Sequence, residues 1–342
     1  MKDVVVFDSQ GETLTGILTS PAEASAAVGT NEARPDVGIV FGDAGIYGRL
    51  GTTIEFPYYC DVLASRGYPS LRFDSRGRGE STGPAERHLF EVVQNIAAAG
   101  SFVPDFDAAL DAFRTRVQPR KMIAGGLSAS AFSALYTGAK RSDVSGVILL
   151  GLPVYWALLN EHGTSKVLPG AAYEHLKEVT RKNRASFKAW RSLLSDEAQR
   201  TELLHKTGVL MRGGWQKALA ISNQKLRVAR DRVQGVKDGK ARRKRRHIAM
   251  PPPDFNPRIL VALDALMARR TPTLVVYGED DWLADRFQRY FVDCFWTDDP
   301  AYEELIEIHR VPHANHVFSM RKWQDELLEI ISGWIERRLK RT

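Results

Sequence analysis

Ser128 stands in the run Gly126-Leu127-Ser128-Ala129-Ser130, where the apolar segment Lys121-Met122-Ile123-Ala124 gives way to a helix-forming stretch. A hydroxyl in this setting is placed for nucleophilic attack. A sharp strand-to-helix turn lifts it out of a sheet, and small residues two before and two after it keep the turn free of clashes. Gly126 fills the first small position, while Ser130 occupies the second, where glycine is usual. Serine is a poor nucleophile at neutral pH. A histidine must take its proton, and a carboxylate must fix the imidazole tautomer and stabilise the imidazolium. The backbone N–H of Ala129, directly after the serine, is then a donor to the oxyanion that forms. The competing reading is an ordinary strand–loop–helix junction, which the five residues alone do not exclude.

Two further constellations bear on that choice. Upstream, Val37-Gly38-Ile39-Val40-Phe41-Gly42 is an apolar run of buried-strand type, followed by Asp43-Ala44-Gly45. A second strand, 69–73, opens into Asp74-Ser75-Arg76-Gly77-Arg78-Gly79-Glu80-Ser81. With this segment the chain resembles the α/β-hydrolase superfamily, whose members often carry Asp-x-Arg-Gly-x-Gly-x-Ser after the fourth strand. Every fixed position is matched, and the motif itself is read as shaping the loop beside the site.

Near the C-terminal end, the strand Thr273-Leu274-Val275-Val276-Tyr277 ends in Gly278-Glu279-Asp280-Asp281, and Val311-Pro312-His313-Ala314-Asn315-His316-Val317-Phe318 follows later. In the superfamily a strand ending Gly-x-x-Asp carries the acid, and a late loop of the form Ala-x-His carries the base. The resemblance therefore implies Asp281 and His316 as the partners of Ser128, in the chain order Ser, Asp, His. Asp280 competes with Asp281, and His313 with His316; the Gly-x-x-Asp count and the Ala-Asn-His spacing favour Asp281 and His316. A second oxyanion donor is expected from the loop after the third strand, from Asp43 or Ala44. Phe41 stands where many relatives have histidine. No metal or organic cofactor is implied.

These groups need a scaffold. Two strands are expected first, near 3–7 and 13–19, then a loop over 22–36 rich in Ala, Gly, Asn, Glu and Pro. Strands and helices then alternate: strand 37–42, helix 53–66, strand 69–74, helix 104–117, strand 121–126, helix 129–140 and strand 144–150. The pattern stops near Val154. It resumes with a helix over 257–270, the strand from Thr273, a strand near 304–310 and a helix over 321–340. Alternation of this kind predicts an α/β fold, a mostly parallel central sheet with helices on both faces and a site at the carboxyl ends of the strands. The expected division is a core of 1–154 and 256–342, the α/β-hydrolase fold, with an inserted helical cap over 155–255. Such a cap excludes water and shapes the substrate pocket.

Charge sets the cap apart. Residues 161–250 hold 22 Lys and Arg against 8 Asp and Glu, whereas the whole chain of 342 residues carries only +7. The extreme lies over 237–246, with Arg242, Arg243, Lys244, Arg245 and Arg246 in succession. A solvated loop explains such a run. The functional alternative is contact with an anionic surface, polymer or substrate tail. Nucleic acid is disfavoured, because no aromatic residues interleave the run as stacking platforms. Apolar content of 44% and charged content of 26% describe a soluble globular chain. No apolar stretch is long enough to span a membrane, the first residues lack a signal-peptide core, and a cytoplasmic protein is expected. Cys60 and Cys294 are expected as reduced thiols within helices.

A narrower resemblance, to the exosortase-associated hydrolases of exopolysaccharide gene clusters, rests on the loop from Gly42 to Gly51, the Arg72-Phe73-Asp74-Ser75-Arg76-Gly77 run and the long helical cap. The elbow departs from that group by lacking a Cys-Asp-Gly pattern. Together the motifs imply a serine hydrolase that cleaves an ester, thioester or related acyl bond through an acyl-enzyme. Acyl transfer by the same triad, or a weakly catalytic binding protein acting through its basic cap, are the alternatives.

Overall fold

The computed structural model describes residues 1–22, 35–42, 45–85, 97–154, 158–159, 165–166, 255–296 and 300–340. The strands are β1 (Lys2–Ser9), β2 (Glu12–Thr19), β3 (Val37–Phe41), β4 (Ser70–Phe73), β5 (Lys121–Leu127), β6 (Val144–Leu150), the short β7 (Leu158–Leu159) and β8 (Ser165–Lys166), β9 (Thr273–Gly278) and β10 (Ile306–Val311). Eight of them form one sheet in the order β1-β2-β4-β3-β5-β6-β9-β10. β1 and β2 pair antiparallel, as do β2 and β4; every other pairing in that sheet is parallel.

The burial of the strands explains their composition. β3, β4 and β9 are buried at every position; β3 and β9 run almost wholly apolar, as strands covered on both faces do, while β4 also buries the polar Ser70 and Arg72. β1, at the sheet edge, alternates exposed and buried residues instead. The helices among the described residues include α1 (Glu55–Ser65), α2 (Val103–Val117), α3 (Ala129–Lys140), α4 (Pro257–Ala268), α5 (Trp282–Phe287), α6 (Pro300–Leu305) and α7 (Arg321–Ile335). On one face α1 and α7 pack with the strands in a single apolar cluster that includes Phe56, Tyr59, Ile123, Ile148, Val276, Leu328 and Trp334. On the other, α3 packs against both α2 and α4.

This is the expected α/β-hydrolase fold, with small shifts at element ends. α1 begins at Glu55 rather than at 53, because the Glu55 carboxylate turns back to accept from the N–H groups of Thr52 at 2.9 Å and Thr53 at 2.6 Å. The last helix is α-helical to Ile335 and continues as a π-helical turn over Glu336–Lys340, tied by a Glu336–Lys340 ion pair of 2.8 Å. β10 starts at Ile306 because 300–305 forms α6.

The chain divides into two units, Met1–Trp156 with Ile248–Thr342, and Ala157–His247. The second contains most of the expected cap, of which the antiparallel pair β7–β8 is described. The helices expected over 155–255 and the basic residues Arg242, Arg243, Lys244, Arg245 and Arg246 lie outside the described residues, as do Asp43 and Ala44.

Candidate active site

β3, β5, β6, β9 and β10 run parallel, so the loops that leave their carboxyl ends gather along one edge of the sheet. From β3 the chain passes to β4 on one side and later returns to β5 on the other, which puts the topological switch between β3 and β5. Ser128 follows β5 at that point. Its backbone, φ 57° and ψ −110°, is a strained conformation for a residue with a side chain, and such strain costs about 1–3 kcal/mol. Fixed contacts maintain it. The Ser128 N–H donates to the Leu150 carbonyl at 2.9 Å, and the Ser128 carbonyl accepts from Ala131 N–H at 3.1 Å.

Gly126 owes its identity to the same turn: a Cβ there would lie 2.3 Å from the Ser130 carbonyl oxygen, so the first turn of α3 could not cross the strand. Ser130 departs from the usual glycine for a reason found far away in the chain. Gly42 faces it, and a Cβ on Gly42 would come within 2.9 Å of Ser130 Cβ, so Gly42 supplies the space that Ser130 uses. Ser130 Oγ accepts from Leu127 N–H at 2.9 Å and can donate to the Gly42 carbonyl at 3.3 Å or the Leu127 carbonyl at 3.2 Å. It thus braces the elbow against the start of the loop after β3. Ala129 is the first residue of α3, where backbone N–H groups lack an i−4 acceptor and favour a developing negative charge.

At the end of β9, Asp281 caps α5: its Oδ1 accepts from Leu283 N–H at 3.0 Å. The residue is buried, and its other oxygen, Oδ2, lies 2.8 Å from His316 Nδ1. His316 is half-buried in the loop after β10. That loop is braced by Asn315, whose side-chain amide donates to Ser319 Oγ at 2.7 Å and accepts from Ser319 N–H at 3.1 Å. A carboxylate at Nδ1 fixes the proton there and leaves Nε2 with its lone pair outward.

The neighbouring candidates point elsewhere. Asp280 is exposed, and its N–H donates to the Ala314 carbonyl at 2.9 Å. His313 is also exposed; its N–H donates to Glu279 Oε2 at 2.9 Å, and its ring lies 3.4 Å from the same carboxylate.

Sequence reasoning missed the residue on which these parts meet. Gly151, directly after β6, has φ +54°, and a Cβ there would lie 2.7 Å from His316 Cε1 and 2.9 Å from Nδ1. The imidazole therefore rests on the bare backbone of Gly151, one residue beyond the carbonyl that receives Ser128 N–H. Gly151 is clamped in turn: its N–H donates to the Val276 carbonyl at 2.8 Å, and the Tyr277 hydroxyl donates to the Leu152 carbonyl at 2.8 Å. Burial, and then the charge of Asp281, push the Tyr277 phenol well above its ordinary pKa, so it stays a neutral donor. The only signal for Gly151 in the sequence is a glycine at a strand end.

The Asp74 to Ser81 loop is held by its own fixed positions. Buried Asp74 accepts from Arg49 N–H at 2.6 Å and from Glu80 N–H at 3.2 Å, and it pairs with the Arg49 guanidinium. Arg76 pairs with buried Asp105 at 2.6 Å, and Ser81 Oγ donates to the Asp74 carbonyl at 2.7 Å. The fixed positions of the motif thus hold the loop to itself, to Arg49, to β1 through Arg76 and Ser9, and to α2 through Asp105.

The sequence profile of the alpha/beta hydrolase family matches residues 47–330. The chain belongs to the alpha/beta hydrolase family. No curated protein matches its sequence. Among solved structures, an esterase from Pyrococcus furiosus superposes with a TM-score of 0.56 at 11% identity, over 99% of this chain and 92% of that one. An acylaminoacyl peptidase from Pyrococcus horikoshii gives 0.53 at 13% identity, over 100% of this chain and 42% of the peptidase. DcsB, solved with a substrate analogue, gives 0.51 at 12% identity over 99% of both chains. At such identities the likeness is one of fold. Membership of the family supports hydrolase chemistry in general. Among the described residues of this hydrolase, no cluster of His, Cys, Asp or Glu could hold a metal ion, and no helix is long and apolar enough to cross a membrane.

Proposed function

We propose that this alpha/beta hydrolase cleaves an ester, thioester or related acyl bond, with Ser128 as nucleophile, His316 as general base and then acid, and Asp281 as the group that orients His316. The observation that carries the reading is the pair formed by the buried Asp281 carboxylate and His316 Nδ1 at 2.8 Å, resting on Gly151 beside the strained Ser128 turn. Nε2 takes the Ser128 proton as Oγ bonds to the acyl carbon, and the carbonyl oxygen becomes an oxyanion. The Ala129 N–H and an N–H from the Asp43–Ala44 loop receive that charge. Collapse expels the alcohol or thiol, which takes the proton from His316 and leaves an acyl-Ser128 ester. Water, deprotonated by the same Nε2, then releases the carboxylic acid and restores Ser128. Asp281 stays ionised throughout, stabilising the imidazolium through Nδ1.

A fluorophosphonate probe and a panel of activated esters and thioesters of varied chain length and charge test this together. The probe is expected to label wild type at Ser128 and to leave Ser128→Ala unlabelled. His316→Ala is expected to lose turnover by several orders of magnitude, while His313→Ala keeps most of it. Labelling that persists in Ser128→Ala or maps to Ser130, or a greater loss in His313→Ala than in His316→Ala, refutes the assignment.

A further inference from the structure

β1 ends the eight-stranded sheet and, among the described residues, pairs only with β2. Its hydrogen-bonding parity follows from its partner. Met1 and Ser20 exchange both backbone bonds at 2.9 Å, and the register steps on from there. Every second residue, Asp3, Val5, Phe7 and Ser9, therefore directs its N–H and C=O to β2. Thr15, opposite Val6, confirms the parity by turning its own groups away from β1: its N–H donates to Ser81 Oγ and its carbonyl accepts from Asp74 N–H, each at 2.9 Å. The groups of Lys2, Val4, Val6 and Asp8 thus face outward, along an edge that pairs with no further strand among the described residues. Their side chains share one face of the sheet, and both valines are exposed, Val4 by 63% and Val6 by 56%.

Such an edge is a template for another strand, and natural sheets commonly blunt it. Here the outward residues Lys2, Val4, Val6 and Asp8 complement their own reverse, while on the other face Asp3 would stand opposite Phe7. Antiparallel pairing about a two-fold axis through Val5 sets Lys2 opposite Asp8 and Val4 opposite Val6, twice each by symmetry. All four are residues with outward-facing backbone groups, so each of these pairs can exchange two hydrogen bonds across the axis. Val5 then meets its own copy at a non-hydrogen-bonded position. Of the registers the parity allows, this one engages all four outward residues and sets opposite charges face to face. The register two residues shorter puts Lys2 against Val6, and the one two residues longer leaves Lys2 without a partner.

We propose that a second copy of this chain docks on β1, joining the two sheets antiparallel through Lys2–Asp8 and Val4–Val6 pairs. The seam is isologous, as two-fold dimers require. Being one strand wide, it falls below the roughly 1,600 Å² of a standard interface and belongs with the weak, reversible contacts. The inference rests on the edge geometry and is independent of the reaction proposed above.

Sedimentation velocity on the full chain from about 1 to 200 μM at low salt tests it. Wild type is expected to shift from monomer to dimer. Lys2→Asp and Asp8→Lys each turn two attractive pairs into two repulsive ones, and each should weaken the dimer by about 10-fold or more. The double variant Lys2→Asp/Asp8→Lys restores opposite charges and should return to within about 3-fold of wild type. It still lacks the Lys2–Asp61 ion pair of the monomer, so restoration cannot come from that contact. Val4→Pro removes an outward N–H while sparing the bonds to β2, and should abolish the dimer with circular dichroism unchanged. A wild type that stays monomeric at 200 μM, a dimer indifferent to the single reversals, or a double variant as weak as the singles overturns the proposal.

Discussion

Replacing Gly151 with alanine separates the role of the imidazole platform from simple loss of stability. The new Cβ would lie 2.7 Å from His316 Cε1 and 2.9 Å from Nδ1, but 3.5 Å from Asp281 Oδ2. Carbon atoms in ordinary contact sit about 3.5–4.0 Å apart, so the ring must retreat by about 0.8 Å or more while the carboxylate can stay. The clamps on Gly151 N–H and on the Leu152 carbonyl resist any movement of the backbone instead. Retreat of the ring stretches its 2.8 Å bond to Asp281 and displaces Nε2 from the position it needs. A misplacement of about 1 Å at a reacting group can cost on the order of 100-fold in rate. A second cost is the left-handed backbone, φ +54° at Gly151, worth about 1–2 kcal/mol for a residue with a Cβ. Gly67 provides the control, with φ +86° and nothing within 4 Å of an added Cβ, so Gly67→Ala carries backbone strain without the clash. Urea denaturation of both variants, with steady-state hydrolysis of an activated ester, is the assay. Gly67→Ala should lose stability and keep its turnover, whereas Gly151→Ala should lose about 100-fold in kcat while still folded. A Gly151→Ala enzyme within about 2-fold of wild-type kcat would show that His316 does not rest on Gly151 during turnover, and the reasoning would fall.

Two other expectations concern side chains inside the core. Ser130→Ala strips the partner from the buried Leu127 N–H and should cost about 1–3 kcal/mol in denaturant unfolding. Ser130→Gly, the usual family residue, should cost more, because it also removes the Cβ that packs on Gly42 and adds the helix penalty of glycine, about 1 kcal/mol. A stability of Ser130→Gly equal to wild type would refute the brace. Burial pushes the Cys60 thiol up to about 11. At pH 8 roughly one molecule in a thousand would hold a thiolate there. Iodoacetamide should leave Cys60 unmodified in the native protein and alkylate it in denaturant, as peptide mapping would reveal; rapid native alkylation would contradict this burial.

Much of the scaffold is legible in the sequence because its signals are local. The predominantly apolar runs of β3, β5, β6 and β9 are what strands covered on both faces tend to be, and their alternation with helical segments implies a parallel sheet before any contact is known. The elbow is legible for the same reason. Its constraint, the crossing of α3 over Gly126, spans five residues. Element ends are less so: the start of α1 depends on where the Glu55 carboxylate turns, which no periodicity records.

The candidate site draws Ser128, Gly151, Asp281 and His316 from the segments that follow β5, β6, β9 and β10, and its contacts join residues far apart in the chain. Sequence spacing can favour Asp281 over Asp280 and His316 over His313 only by resemblance. Which carboxylate is buried and which imidazole faces it depends on the packing of the last two strand ends. The space that allows Ser130 belongs to Gly42, and the surface that supports His316 belongs to Gly151. Neither pairing leaves a trace in a single sequence, because a missing Cβ matters only once sheet order sets two backbones side by side. The pattern of Lys2 to Asp8 shows the division most clearly. Its charges and valines are plain in the chain, but only the sheet topology decides that this strand lies at the sheet edge, and only the register to β2 decides which of its residues face outward.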